Sequence, residues 1–257
     1  MEKENFKKTL NHFGKTASNF TKNAGGWIDK LVAKMSQFDD SSELRTRIVS
    51  GILMLFTGIV AICFFKGLFF LIVTAITILM TFEWLELTKS VHPDDKKRWN
   101  LIGFVYILLP MFAVLKLRDI DSNILLWMFA VICATDIFAY FAGKNFGGPK
   151  LMPNVSPNKT WAGLFGGVSA SIVIGFLSSF MFSGSVFFFI FLSIILSLIE
   201  QGSDLLESKF KRIFGVKDSG NIIPGHGGVL DRFDGMMLVA PITLLLVWVY
   251  SGNFISK

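Results

Sequence analysis

The sequence predicts an all-α polytopic membrane protein, and three observations carry that prediction. Hydrophobic residues make up 52% of the 257 residues, with a mean hydropathy of +0.57. Only 17% are charged, against about 25% in an ordinary soluble domain. Phe occurs 28 times, far more than a soluble core of this length needs. Apolar runs recur along the chain, several shorter than the roughly 20 residues of an upright span.

Residues 1–44 are polar and Lys-rich with no early apolar run, so no secretory signal peptide is expected. Phe6, Leu10, Phe13, Ala17, Phe20, Trp27, Leu31 and Phe38 recur every three or four positions or in multiples of that step. They trace one apolar stripe on a helix, with lysines around the rest. Such a basic amphipathic segment suits an anionic membrane surface. Residues 45–257 form the transmembrane domain. Spans are read near 48–65, 67–82, 101–117, 123–142, 161–183, 185–200 and 235–252, and the soft boundaries allow about seven to nine helices.

Charge is unevenly shared between the connections. The segments 89–99, 143–160 and 201–234 hold most of it and, with the N-terminus, fall on one side if the spans alternate. The positive-inside rule makes that side cytoplasmic, in a multi-pass cell (inner) membrane protein. The net charge of +6 therefore needs no nucleic acid as partner. Cys63 and Cys133 lie inside apolar spans, where free cysteines are ordinary buried hydrophobes. No Cys/His spacing of the zinc-site type occurs.

The stretch Ser203–Asp234 crowds acids, bases and His226 between greasy segments, a costly arrangement beside a membrane that marks an ionic substrate. No Pro interrupts 185–212, so the sixth span is expected to run on as a helix. That helix places Glu200, Asp204, Glu207 and Lys211 on one face at i, i+4, i+7 and i+11. Acids stacked in this way repel one another unless a cation lies among them, which points to a metal-binding face. The Gly225, Gly227 and Gly228 cluster permits close backbone approach and positive φ, a geometry that cradles anions. Asp231, Arg232 and Asp234 follow it at once, and Lys217 and Asp218 precede it. Acids for a hard cation beside bases for phosphate oxygens are what phosphoryl transfer needs. Arg232 offers a bidentate grip; Lys211 and Lys217 act as point charges.

A third feature spans 135–163. Asp136 is an acid inside an apolar span, a functional-site candidate unless it merely hydrogen-bonds a neighbouring helix. Lys144, Lys150 and Lys159 follow, and Ser156 to Thr160 read as a turn leading into a span with a hydroxyl to cap it. The hydroxyls and Lys159 are candidates for triphosphate binding.

The pattern S-x-x-K-R, then K-D-S-G, then P-G-H-G-G-x-x-D-R-x-D resembles the signature of the phosphatidate cytidylyltransferases. It is carried here by Ser208, Lys211, Arg212, Lys217, Asp218, Ser219, Gly220, Pro224, Gly225, His226, Gly227, Gly228, Asp231, Arg232 and Asp234. The resemblance implies a helical membrane bundle with a polar pocket open to the cytoplasm, commonly a homodimer. It implies formation of CDP-diacylglycerol and pyrophosphate from CTP and phosphatidate, with Mg²⁺ alone or with a second cation. Asp204 and Asp231 would be the metal-binding acids, with Asp136 added by its position. Lys211, Arg212, Lys217, Asp218, His226 and Arg232 would serve catalysis. Lys144, Ser156, Lys159, Thr160, Ser208, Gly227 and Gly228 would contact substrate. The chain departs from the family's S-P-K-K-T-x-E-G at Asn158 and Ala162, and has Ser203 where Gly usually precedes the metal-binding Asp. Ile137 and Phe138 replace small residues after Asp136.

Two other classes fit the composition. A CTP-dependent lipid kinase of the dolichol kinase type would need a base for a hydroxyl nucleophile, which His226 or a carboxylate could supply. A transporter would show charges near the midplane in two related halves, whereas this chain gathers its charge at one face.

Overall fold

The computed structural model describes residues 57–220 and 227–255. The N-terminal amphipathic segment, half of the first expected span and His226 lie outside the described residues.

After a helical stretch at 58–64, the chain forms α1 (Lys66–Leu87), α2 (Pro93–Ile120) and α3 (Ser122–Phe146). A two-stranded antiparallel hairpin, β1 (Lys150–Met152) and β2 (Ser156–Thr160), leads into α4 (Trp161–Ser178) and α5 (Val186–Ile213). The short α6 (Leu230–Phe233) precedes α7 (Met236–Val249) and a final 3₁₀ turn, Ser251–Phe254. Among the described residues, α1 to α5 are long and apolar enough to cross a membrane and α7 is a shorter apolar helix. Six of the seven expected spans thus coincide with helices.

Two expectations change in detail. The charged segment 89–99 is not a loop throughout: α2 begins at Pro93, with Asp94 and Asp95 in its first turn. Pro at N1 loses no hydrogen bond, and early acids suit the positive end of the helix. The fold is also not purely helical, because residues 150–160 form the hairpin. The reading of α5 holds: an unbroken helix carries the charged face out of the apolar region to Ile213.

The helices alternate, and side-chain contacts sort their ends. Lys66 Nζ at the start of α1 lies 2.7 Å from Asp119 Oδ1 at the end of α2. Ser183 N–H and Gly184 N–H, between α4 and α5, donate to Ile255 O and Asn253 O beyond α7. These mark one end of the bundle. The start of α2, the hairpin, the end of α5 and α6 gather at the other, the site end.

Packing there rests on aromatic side chains. Trp84 of α1 meets Phe210 and Phe214 edge-on, at centroid distances of 5.5 and 5.6 Å. Trp99 of α2 meets the same two phenylalanines, and Tyr106 meets Phe210. Such edge-to-face pairs add specificity to apolar burial, and they fix the last turns of α5 against α1 and α2. Between α3 and α4 the device is smallness. A methyl group on Gly166 would come within 2.3 Å of Ala142 Cβ and 2.9 Å of Phe138 O. In lipid, where apolar burial gives little drive, close backbone approach supplies the packing.

Candidate active site

The polar face of α5 is the base of the site. Glu207 is fully buried, and Lys211 Nζ, one turn on, lies 3.1 Å from its Oε1. The same ammonium donates to Asp231 Oδ1 at 2.9 Å, so Lys211 joins α5 to α6. One turn before Glu207, Asp204 pairs with Lys159 of the hairpin. Lys159 Nζ also donates to Gln201 O at 3.4 Å. Earlier still, buried Glu200 adjoins Asp136 of α3, and neither Glu200 oxygen meets a hydrogen-bond donor.

The hairpin is held against α5 by Lys159 and by Arg212, whose Nε donates to Val155 O at 3.3 Å. The regions 143–160 and 201–234, distant in sequence, therefore share one site, as alternation of the spans predicted. Thr160 is buried and caps α4, accepting from Gly163 N–H at 3.1 Å. Its expected capping role is thus filled, and Ser156 sits opposite Met152 in the hairpin.

Asp231 occupies a cage. Ser219 N–H reaches its two oxygens at 3.1 and 3.0 Å, and Gly228 N–H reaches Oδ2 at 2.9 Å. Burial pushes its carboxyl up, but Lys211 and these N–H groups outweigh that and hold it below the usual carboxylate range. Of the described glycines of the Gly-rich turn, Gly228 gives its N–H to an anion, and that anion is Asp231 itself. Gly227 has φ +82, where a side chain would be strained. A Cβ on Gly228 would sit 2.0 Å from Ser219 Oγ.

Asp234, three residues on, is differently placed. It lies beside Asp204, and burial together with that neighbouring charge pushes its carboxyl up to about 8. Ser203 Oγ–H donates to Asp234 O and accepts from Leu238 N–H. The Ser in place of Gly before Asp204 thus fastens α5 to the elbow between α6 and α7.

The remaining expected residues scatter around this centre. Ser208 is half-buried on α5; Lys217, Asp218 and Arg232 are exposed. Lys144 is exposed on α3, its Nζ donating to Tyr140 OH and lying 5.6 Å from that ring. Asp136 is exposed on one side while adjoining Glu200 on the other. An apolar groove of about 480 Å³ runs between α3 and α4, lined by Phe138, Phe141, Gly166 and Val173 among others.

Sequence reasoning missed Glu83. This buried α1 residue accepts from Val229 N–H at 2.7 Å, Leu230 N–H at 2.8 Å and Ser219 Oγ at 3.2 Å. Its signal was an acid in the apolar run LMTFEWLEL, passed over because it stood one residue beyond the expected span.

The donor set fits a hard divalent cation, for it offers carboxylate oxygens of which those of Glu200 are buried without a hydrogen-bond donor and those of Glu207 face only Lys211. Among the described residues no three such side chains already converge as a ligand set.

Residues 98–250 match the family model described as "Cytidylyltransferase family". Curated proteins named phosphatidate cytidylyltransferase are similar over most of the chain. One from Rickettsia typhi is 42% identical over 79% of this chain and 91% of its own length. One from Rickettsia bellii is 40% identical over 87% and 99%, and one from Brucella abortus 34% over 85% and 77%. A site of lysine–carboxylate couples at one end of a helical membrane bundle, the signature that frames it and these relatives agree: the chain belongs to the cytidylyltransferase family.

Proposed function

We propose that this chain condenses CTP with phosphatidate to give CDP-diacylglycerol and pyrophosphate. One observation carries the reading. The couples Lys159–Asp204 and Lys211–Asp231 gather at one end of the spanning helices, where a lipid headgroup and a soluble nucleotide can meet. The names of its relatives support the same reaction.

The nucleophile needs no general base. A phosphate monoester has its second pKa near 6 and is largely dianionic at neutral pH. One of its oxygens forms a bond to the α-phosphorus of CTP, and the bond from that phosphorus to the bridging oxygen breaks as pyrophosphate leaves. The obstacle is repulsion between two polyanions, which explains a site rich in cations. Lys159 and Lys211 would exchange their carboxylate partners for phosphate oxygens, with Arg212, Lys217 and Arg232 at the rim. Asp204 and Asp234 would hold Mg²⁺, joined by Asp231 as Lys211 turns from it to phosphate. The chemistry Mg²⁺ supplies when bound is neutralisation of phosphate charge. Lys144, Ser156 and Ser208 remain proposed substrate contacts, and a second cation belongs with the Asp136–Glu200 pair.

The site end faces the cytoplasm of a bacterial inner membrane in this reading, which rests on the Lys-rich connections and the bacterial relatives. A bundle of seven to nine helices, a polar pocket and a homodimer complete it. Purified protein given CTP labelled at the α-phosphate, phosphatidate and Mg²⁺ should yield lipid-extractable label with release of pyrophosphate. Release of CDP instead would indicate a lipid kinase, and flux across liposomes without CTP consumption a transporter.

A further inference from the structure

We infer that Glu83 is a positioning residue for the reaction, the clamp that sets the two halves of the signature in register. The inference rests on the proposed cytidylyl transfer and adds a residue from α1, far outside the signature.

The geometry leaves the carboxylate little other role. Glu83 Oε1 accepts from Val229 N–H; Oε2 accepts from Leu230 N–H and Ser219 O–H. One side chain thereby holds Ser219 of the K-D-S-G segment and the backbone that follows the Gly-rich turn. Asp231 holds the same two segments from the other side, through Ser219 N–H and Gly228 N–H. The backbone at 219–220 and 228–230 thus lies between two carboxylates, and space there is exhausted. A Cβ on Gly228 would lie 2.9 Å from Glu83 Oε1, and one on Gly220 3.0 Å from it. Trp84, next to Glu83, is packed against Phe210 of α5 and Phe214, which caps its end. The clamp is therefore anchored to the helix that carries Asp204, Glu207 and Lys211.

Gln at this position cannot reproduce the contacts. Its amide nitrogen would face either Val229 N–H or Leu230 N–H, donor against donor, so one buried N–H loses its acceptor in either orientation. Asp is one methylene too short to reach all three donors.

The test uses the full-length chain in detergent or proteoliposomes. Glu83→Gln should lower kcat about 10–100-fold, the range for removing an outer partner of a site residue, with the KM for CTP little changed and a lower melting temperature, as one buried N–H loses its acceptor, in a chain still folded at the assay temperature. Ser219→Ala should lower kcat less, and the double variant should be no slower than Glu83→Gln alone, because the two act as one unit. Hydrogen exchange at the Val229 and Leu230 amides should quicken in Glu83→Gln, a readout that does not depend on turnover. Glu83→Gln turnover within about twofold of the unaltered chain, effects that multiply, a loss that tracks loss of folded protein, or unchanged exchange would each overturn the inference. If Glu83→Gln does not fold, Ser219→Ala decides: slower turnover with unchanged melting supports the clamp, and full turnover removes it. An unaltered chain that forms no CDP-diacylglycerol would instead remove the proposed reaction.

Discussion

Asp204 meets Lys159 across the seam between the hairpin and α5, with Asp234 beside it; Asp231 meets Lys211 inside a cage of backbone N–H groups. Both are acids of the signature stretch, and both face a lysine. Asp231 is stabilised by its own surroundings, and its carboxyl lies below the usual range. Asp204 shares its surroundings with a like charge, and that neighbour's carboxyl is driven upward. The difference separates two tasks. A carboxylate ringed by donors keeps backbone in place, whereas one pressed against another acid is ready to exchange its partner for a cation.

The comparison can be broken most sharply at Asp204. Asp204→Asn should cost about 10²–10³-fold or more in CDP-diacylglycerol formation while leaving the melting temperature intact. Near-normal turnover at saturating Mg²⁺ would end the assignment of Asp204 to the metal. Asp231→Asn should also abolish turnover in a protein that still inserts and folds. It should in addition lower stability by about 1–3 kcal/mol, because Lys211 and two N–H groups lose part of their acceptor. Equal melting of the Asp204 and Asp231 variants would erase the distinction drawn between them.

A smaller effect is expected at Asp234, and its sign follows from the raised carboxyl. An unfolded Asp ionises near about 3.9, whereas the folded carboxyl does so at about 8. Over that interval the folded chain binds the extra proton, so the stability this group lends at low pH is lost as pH rises towards 8. Asp234→Asn should therefore melt higher than the unaltered chain at pH 8.5 without divalent cations, and the gap should shrink at pH 5. The same variant should lose turnover. A gap that widens towards pH 5 would contradict the burial argument. The smallest effect belongs to Lys144, engaged with Tyr140 on its own helix. As a contact at the rim, Lys144→Ala should lower kcat/KM only about threefold, the scale of one exposed charge; an unchanged kcat/KM would remove it from the substrate contacts.

Much of this was legible in the sequence, for identifiable reasons. Apolar length located the helices, and the absence of Pro carried α5 through its charged end. The i, i+4, i+7 spacing put Glu200, Asp204 and Glu207 on one face, and alternation of the spans brought the hairpin to α5. Other features hid behind ambiguous composition. The segment PDDKKRW reads as a loop by charge but begins α2, because Pro and early acids also start helices. Residues 150–160 contain two prolines and turn formers, so their short pairing leaves no alternating pattern to detect. The use made of Asp234 and Glu83 depends on contacts with residues 30 and more than 130 positions away, which a single chain's local pattern does not encode.

The seam between α3 and α4 has a consequence at a distance. Gly166 lies five residues beyond Trp161, the first residue of α4, about 8 Å along the helix at ~1.5 Å per residue. With Phe138 O and Ala142 Cβ already at its surface, a single added methyl there must push α4 away from α3. The hairpin rides on the near end of α4, so that push arrives at Lys159 as a displacement of its ammonium from Asp204. α4 is in effect a lever with the hairpin at its end. A search for sensitive positions confined to charged residues would overlook a glycine that aims one of them.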